Sequence, residues 1–235
     1  KMSSVPKVGW YIYTPSEPKK PKLTLRWATV NNFWLEISSK PSESPLLTIH
    51  LGFSDFKPPQ PQDNAPVNSL LLTTESDSLV GPFSITLSTN NRFDILDLNQ
   101  ALVEGRECWT KILQNGIETL TFESSFKDKK SGFLGGKNVE CSIDPQGFKT
   151  NRSPTEKQIY QFSQISYVRP LPFDNRQGAC FEMIIDKSSQ KPEMLFQCHD
   201  HAEMLKFLEI FLFLLVKDKE KRLTIDGPIP HQESS

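Results

Sequence analysis

Apolar positions in this chain switch between two periods, and the switch happens twice. Period-two alternation marks strands, and a recurrence at three and four residues marks a helix. The first stretch opens with Val8–Tyr13. It continues with Lys22–Val30, where Leu23, Leu25 and Trp27 alternate, and returns after Asn31-Asn32 as Phe33–Ile37. Leu46–Leu51, Leu70–Thr74 and Phe83–Leu87 follow, and Arg92–Leu96 is expected to pair back across Thr89-Asn90-Asn91. The period then becomes helical. Asp97 with Gln100 has capping-box spacing, Leu102, Cys108, Trp109, Ile112 and Leu113 share a face, and Asn115-Gly116 supplies a stop.

The second stretch repeats the plan. Thr119–Glu123, Asn138–Ile143, Gly147–Asn151, Gln158–Phe162, Ile165–Val168, Ala179–Ile185 and Glu193–Cys198 read as strands, with a turn at Asp144–Gly147. Asp200 with Glu203 caps a helix whose stripe is Met204, Phe207, Leu208, Phe211, Leu212 and Leu215. The expected fold is therefore mainly β with two helices. Residues 1–116 and 117–222 each form a β-barrel or sandwich of about seven strands capped by a C-terminal α-helix, and 223–235 form a flexible tail.

Composition narrows the function classes. Lys and Arg total 27 against 28 Asp and Glu, a net charge of -1, which argues against a nucleic-acid binder driven by bulk charge. The 18 prolines predict loop-rich connections, above all at Lys57–Pro66, which reads as a surface insert. The four cysteines are scattered with no C-x-x-C pair, as in a protein with reduced thiols. The start lacks an apolar signal region, and the longest apolar run, Ile210–Val216, is far short of the ~20 residues that span a bilayer. A soluble cytoplasmic protein, or one held peripherally on a membrane, is expected.

Particular residues carry a resemblance to the pleckstrin-homology superfold. Gly9-Trp10 opens the chain as those domains commonly open. Arg26-Trp27 resembles their basic-aromatic pair in the second strand, Phe83-Ser84-Ile85 with Phe93-Asp94-Ile95 their last hairpin, and Glu107-Cys108-Trp109 their helix tryptophan. The resemblance covers about residues 7–115. The second stretch, about 117–220, lacks the helix tryptophan. Its Gly147-Phe148 and Phe196-Gln197-Cys198-His199 look more like a phosphotyrosine-binding domain of the same superfold. Such a pair resembles adaptors of the docking-protein and insulin-receptor-substrate kind, and also double-domain histone chaperones.

The resemblance implies a phosphoinositide site of converging cations in the first two strands, since several cations must meet vicinal phosphates. Tyr13 and Thr24 stand where lysines are usual and only Arg26 matches, so Lys19, Lys20 and Lys22 are the candidates to complete the site. It also implies, in the second stretch, a peptide adding as a strand along Ile165, Tyr167 and Arg169, facing Phe207, Phe211 and Leu214. Without converging arginines such a peptide is expected to be unphosphorylated. Gly132–Lys137 has the wrong spacing for a phosphate loop, and in Cys198-His199-Asp200-His201 the aspartate serves better as a helix cap than as a metal ligand. No nucleophile-and-base motif is present, so neither catalysis nor a cofactor is expected.

The second helix carries more apolar surface than a barrel cap needs: Leu205, Ile210, Phe213, Leu214 and Val216 lie beyond its stripe. That excess is expected to pack on the first unit, on a second copy in a homodimer, or on a peptide. The reading reached is a non-enzymatic adaptor or scaffold module that recruits its protein to an anionic membrane lipid, a protein partner, or both. The alternative is a nuclear histone chaperone, against which the balanced charge and the lack of an acidic run both weigh.

Overall fold

The computed structural model describes residues 9–17, 20–59, 66–129, 136–153, 155–173, 178–185 and 193–226. Seven strands come first: β1 (Gly9–Glu17), β2 (Lys20–Asn31), β3 (Trp34–Ser38), β4 (Leu47–His50), β5 (Asp55–Lys57), β6 (Ser69–Thr74) and β7 (Phe83–Ser88). Helix α1 (Arg92–Asn115) follows. Seven further strands are β8 (Phe122–Asp128), β9 (Lys137–Asp144), β10 (Gly147–Ser153), β11 (Glu156–Tyr160), β12 (Ile165–Pro170), β13 (Cys180–Ile185) and β14 (Glu193–Gln197). Helix α2 (His201–Asp226) ends the described chain.

The strands form two antiparallel seven-stranded sheets with the same internal order. The first runs β4-β3-β2-β1-β7-β6-β5 and the second β11-β10-β9-β8-β14-β13-β12. In each, a four-strand meander meets a three-strand meander where the first strand pairs with the last, through Tyr13 and Ser88 in one and through Phe196 and Asp128 in the other. The fold is mainly β, with one helix behind each sheet.

The start of α1 differs from the expectation. Arg92–Leu96 is not a strand but the first turn of the helix. Asn91 is the N-cap: its side-chain oxygen accepts the Asp94 N–H at 2.9 Å. The alternation of Phe93 and Ile95 imitates a strand, but Ile95, Leu98 and Leu102 turn inward at helical spacing while Phe93 stays exposed. Asp97, expected as the cap, instead accepts the Trp10 indole N–H at 2.9 Å and pins α1 to β1. The seventh strand of the first sheet is β5, a three-residue piece with no alternation long enough to detect. At the far end of α1, Gly116 takes φ +83° and its N–H closes on Ile112, as a left-handed cap requires.

In α2, Asp200 accepts the Glu203 N–H at 2.8 Å, and the Glu203 carboxylate accepts the His199 N–H at 2.9 Å, as the capping spacing predicts. The helix continues to Asp226, four residues past the expected end. The tail beyond it, most of the Lys57–Pro66 insert and Gly132–Gly135 lie outside the described residues. The four cysteines are free thiols.

Two cores result. One fills the first barrel, from Trp10, Ile12 and Ala28 through Leu35, Leu72 and Leu87 to Leu98 and Leu102 of α1. The other fills the second barrel and does not stop at its wall. It runs from Phe126, Phe148, Phe181 and Phe196 through α2 and takes in Phe33, Trp34, Val80 and Trp109 of the first stretch. Ile210, Phe213 and Leu214, the excess face of α2, are all buried. The helix is apolar on both sides because it is packed on both sides.

Candidate functional site

The β1–β2 hairpin holds the predicted lipid site. Its register pairs Tyr11 with Trp27, Ile12 with Arg26, Tyr13 with Leu25 and Glu17 with Lys20. Partners opposite each other share a face. Ile12 is fully buried in the first barrel, so the half-buried Arg26 beside it lies on the barrel's inner side. Lys20 and Lys22 lie on β2 at the same strand parity as Arg26, whereas Lys19 falls outside the described residues. The two strands run further than the expected Val8–Tyr13 and Lys22–Val30, β1 to Glu17 and β2 from Lys20.

Charge is concentrated here. Residues 9–31 hold four cations, Lys19, Lys20, Lys22 and Arg26, against the single acid Glu17, a net charge of +3 in a chain whose total is -1. Arg26 forms no ion pair among the described residues. The basic residues of the second unit are more often spent: Arg152 is held by Asp128 at 2.6 Å and Lys149 pairs with Asp144. Both partners of the Arg152–Asp128 pair are buried.

The predicted peptide edge is placed differently. β12 is an edge strand of its sheet, as expected, and it packs on α2. Its outward side, however, already meets the chain's own residues. The Val168 N–H donates to the Leu79 carbonyl at 2.9 Å, and the Arg169 guanidinium reaches the Pro82 carbonyl at 3.2 Å while pairing with Glu182 at 2.6 Å. Ile165, Phe207, Phe211 and Leu214 are buried core side chains, and Tyr167 is half-buried beside Gly81. The other edge, β11, has β10 as its one strand neighbour, and Ile159 on it is 57% exposed.

The seam between the two sheets carries polar groups that sequence reasoning missed. Trp34, Glu36, Ser38, Thr48 and His50 lie on the face of β3 and β4 away from the first core, yet all are buried. Glu36 meets the His201 imidazole of α2 at 3.3 Å. His50 is enclosed by Phe33, Trp34, Phe53 and Trp109 at centroid distances of 4.6–4.9 Å to its own ring. Its Nδ1 accepts the Gly52 N–H at 3.1 Å, and burial pushes its pKa down to about 3, so it is neutral. A cleft of about 430 Å³ lies over this seam, lined by Trp27, Thr29, Glu36, Ser38, Glu43 and His201 among others. In sequence these positions alternate like a solvated strand face, and nothing local signals that a second unit covers them.

Among the described residues no cluster of three or more His, Cys, Asp or Glu side chains is placed to hold a metal ion, and no helix is long and apolar enough to cross a membrane. No family model matches the chain, and no curated protein matches it. Solved structures do. The pleckstrin-homology domain of human oxysterol-binding protein-related protein 11 is 15% identical with a TM-score of 0.39, over 50% of this chain and 92% of that one. That of the human KIAA0053 protein is 12% identical with a TM-score of 0.38, over 46% and 93%. That of the mouse ethanol decreased 4 protein is 16% identical with a TM-score of 0.34, over 51% and 97%. Each of these pleckstrin-homology domains is matched over about half of this chain.

Proposed function

We propose that this chain is a non-enzymatic binding module of an adaptor or scaffold protein that recruits it to an anionic membrane surface. In this reading residues 1–116 and 117–222 are two pleckstrin-homology-like units. The membrane contact is made by Lys19, Lys20, Lys22 and Arg26 of the first, and the second buttresses it. The observation that carries the reading is the net charge of +3 over residues 9–31. Each lysine or arginine at an anionic leaflet contributes about 1 kcal/mol, so three net charges favour such a surface by about a hundredfold over a neutral one. A membrane is favoured over a strand-adding peptide on β12 because the Val168 N–H already has the Leu79 carbonyl as acceptor.

Sedimentation with vesicles tests this. Binding is expected to vesicles of phosphatidylcholine with phosphatidylserine or a phosphoinositide, to fall as salt screens the charges, and to be absent on phosphatidylcholine alone. The double variant Lys20→Glu with Lys22→Glu is expected to abolish it while melting like the parent. Undiminished binding in that variant, or no binding to anionic vesicles, overturns the proposal.

A further inference from the structure

β4 is an edge strand of the first sheet, and one rung of that edge is unfilled. The Leu51 N–H donates to the Phe33 carbonyl at 2.8 Å, which fixes the phase of the β3–β4 ladder. Main-chain groups alternate along an antiparallel pair, so Ile49 and Leu51 turn theirs toward β3 while Thr48 and His50 turn theirs outward. The outward carbonyls on either side of Thr48 are taken. Leu46 accepts the Phe173 N–H at 2.9 Å, and His50 accepts the Ser54 hydroxyl at 2.8 Å. Between them the N–H and C=O of Thr48 have no partner among the described residues, although Thr48 is only 7% exposed. The segment alongside has no N–H to give. Pro170 and Pro172 lack one, and that of Leu171 donates to the Cys180 carbonyl at 2.8 Å.

At this rung lies a cavity of about 190 Å³, between the two units. Thr48 lines it, and Leu47, Ile49, Val80, Phe83 and Leu171 give it apolar walls. An apolar cavity of ~150 Å³ already admits a benzene ring. His50 lines it as well. Its Nδ1 accepts the Gly52 N–H, so the proton sits on Nε2, and that atom too has no partner among the described residues.

We propose that this cavity binds a small neutral carboxamide whose apolar body is the size of one ring, with the ligand's C=O accepting the Thr48 N–H and its N–H donating to the Thr48 carbonyl. The site lies on a different strand from the lysine cluster and does not depend on the membrane reading. Three features select this ligand. A single open rung between two filled ones has room for one amide and not for an extended peptide. The N–H and C=O of one extended residue lie side by side, and a primary amide or a lactam presents the matching acceptor and donor side by side. The one cation in the lining, Arg169, is already held by Glu182 at 2.6 Å and by the Pro82 carbonyl at 3.2 Å, so the walls favour a neutral molecule over an acid.

Benzamide is the probe, titrated into the intact, nitrogen-15-labelled chain while the backbone amide spectrum is followed. The Thr48 resonance is expected to move and to saturate as its N–H gains an acceptor. Toluene fills the same walls without an amide. It is expected to bind about tenfold more weakly, the worth of two hydrogen bonds, and to leave the Thr48 resonance nearly in place. Val80→Phe puts a ring of the chain's own into the space. That variant is expected to melt no lower than the parent, because the void accepts the ring, and to lose benzamide binding. The Thr48 resonance of the parent keeps the test independent of whether the variant folds. No saturable movement of that resonance up to the solubility limit of benzamide overturns the site. Toluene binding as tightly as benzamide overturns the amide assignment. Undiminished benzamide binding in a folded Val80→Phe variant puts the ligand elsewhere and overturns the proposal as well.

Discussion

Trp109→Ala, combined with Gly52→Ala, probes how the first unit is joined to the rest. Trp109 is 2% exposed, packs on Phe33 at 5.0 Å and on His50 at 4.6 Å, and belongs to the core that continues into α2. Its truncation leaves a cavity that rigid neighbours cannot fill, at a cost of about 3–5 kcal/mol. For a chain of this size, about 4 kcal/mol lowers the melting temperature by ~10 °C. Gly52 sits directly against the indole. A Cβ added there would lie 2.1 Å from Trp109 Cδ1 and 2.5 Å from Cγ. Gly52→Ala alone is therefore expected to cost about 1–3 kcal/mol by overpacking. In the Trp109→Ala background the obstacle is gone and the methyl fills part of the cavity, so the same substitution becomes neutral or stabilising. Denaturant unfolding of the four proteins gives the coupling energy, expected to be of the order of 1–3 kcal/mol and favourable. Additive costs would refute the packing argument. So would a loss below about 1 kcal/mol for Trp109→Ala.

Other predictions follow from buried groups. His50 has a folded pKa pushed down to about 3 by burial, against 6.5 unfolded. The unfolded chain thus takes up the proton first as pH falls, and stability is lost between about pH 6.5 and 3 by up to ~1.4 kcal/mol per pH unit. His50→Asn, which keeps an acceptor for the Gly52 N–H, is expected to flatten that slope relative to the parent in denaturant titrations at several pH values. Asp128→Ala leaves the buried Arg152 only its longer, 3.4 Å pair with the exposed Glu156 and is expected to cost up to about 3–5 kcal/mol, whereas Asp128→Leu with Arg152→Met is expected to cost less than the single change. Burial raises the thiol pKa values of Cys108, Cys141, the last to about 12, and Cys198, so a thiol reagent at neutral pH is expected to find only the half-buried Cys108, slowly, until denaturant exposes all four.

Strand grammar was legible where alternation was long: β2, β9, β10 and β13 announce themselves, as do the Asp144–Gly147 turn and both helix stripes. It failed where the signal was short or shared. Asp55–Lys57 is three residues with no period, and Arg92–Leu96 alternates apolar positions that also satisfy the opening turn of a helix, so only the Asn91 cap decides. Of the candidate site, the lysines are visible because charge is a property of composition. The pairing of Tyr11 with Trp27 and of Tyr13 with Leu25 is not visible, because it exists only once the hairpin register is set. The burial of Glu36, Ser38, Thr48 and His50 is illegible for a different reason. Their alternation correctly reports a strand with a polar outer face, but Glu36 is met by His201, 165 residues on, and His50 is enclosed by Trp109 of α1 together with its aromatic neighbours.

That cover is also why the two units are expected to fail when separated. The excess apolar residues of α2, Ile210, Phe213 and Leu214, are buried at 4%, 6% and 6% exposure in a core that includes Phe33, Trp34, Val80 and Trp109. Cutting at Gly116 returns both faces to water. Each large side chain re-exposed forfeits about 1.5–3 kcal/mol, so three on α2 alone approach the whole stability of a small domain. Residues 117–235 expressed by themselves are therefore expected to bind a hydrophobic dye or to self-associate through α2 in size-exclusion chromatography. Supplying residues 1–116 in trans is expected to reverse this, because it restores the same seam. A homodimer through α2 is on this argument a property of the fragment, since in the intact chain the first unit occupies the face a second copy needs. A monodisperse, cooperatively melting 117–235 monomer would show that the seam is an accessory contact, and the first unit would then be free to act as an independent module.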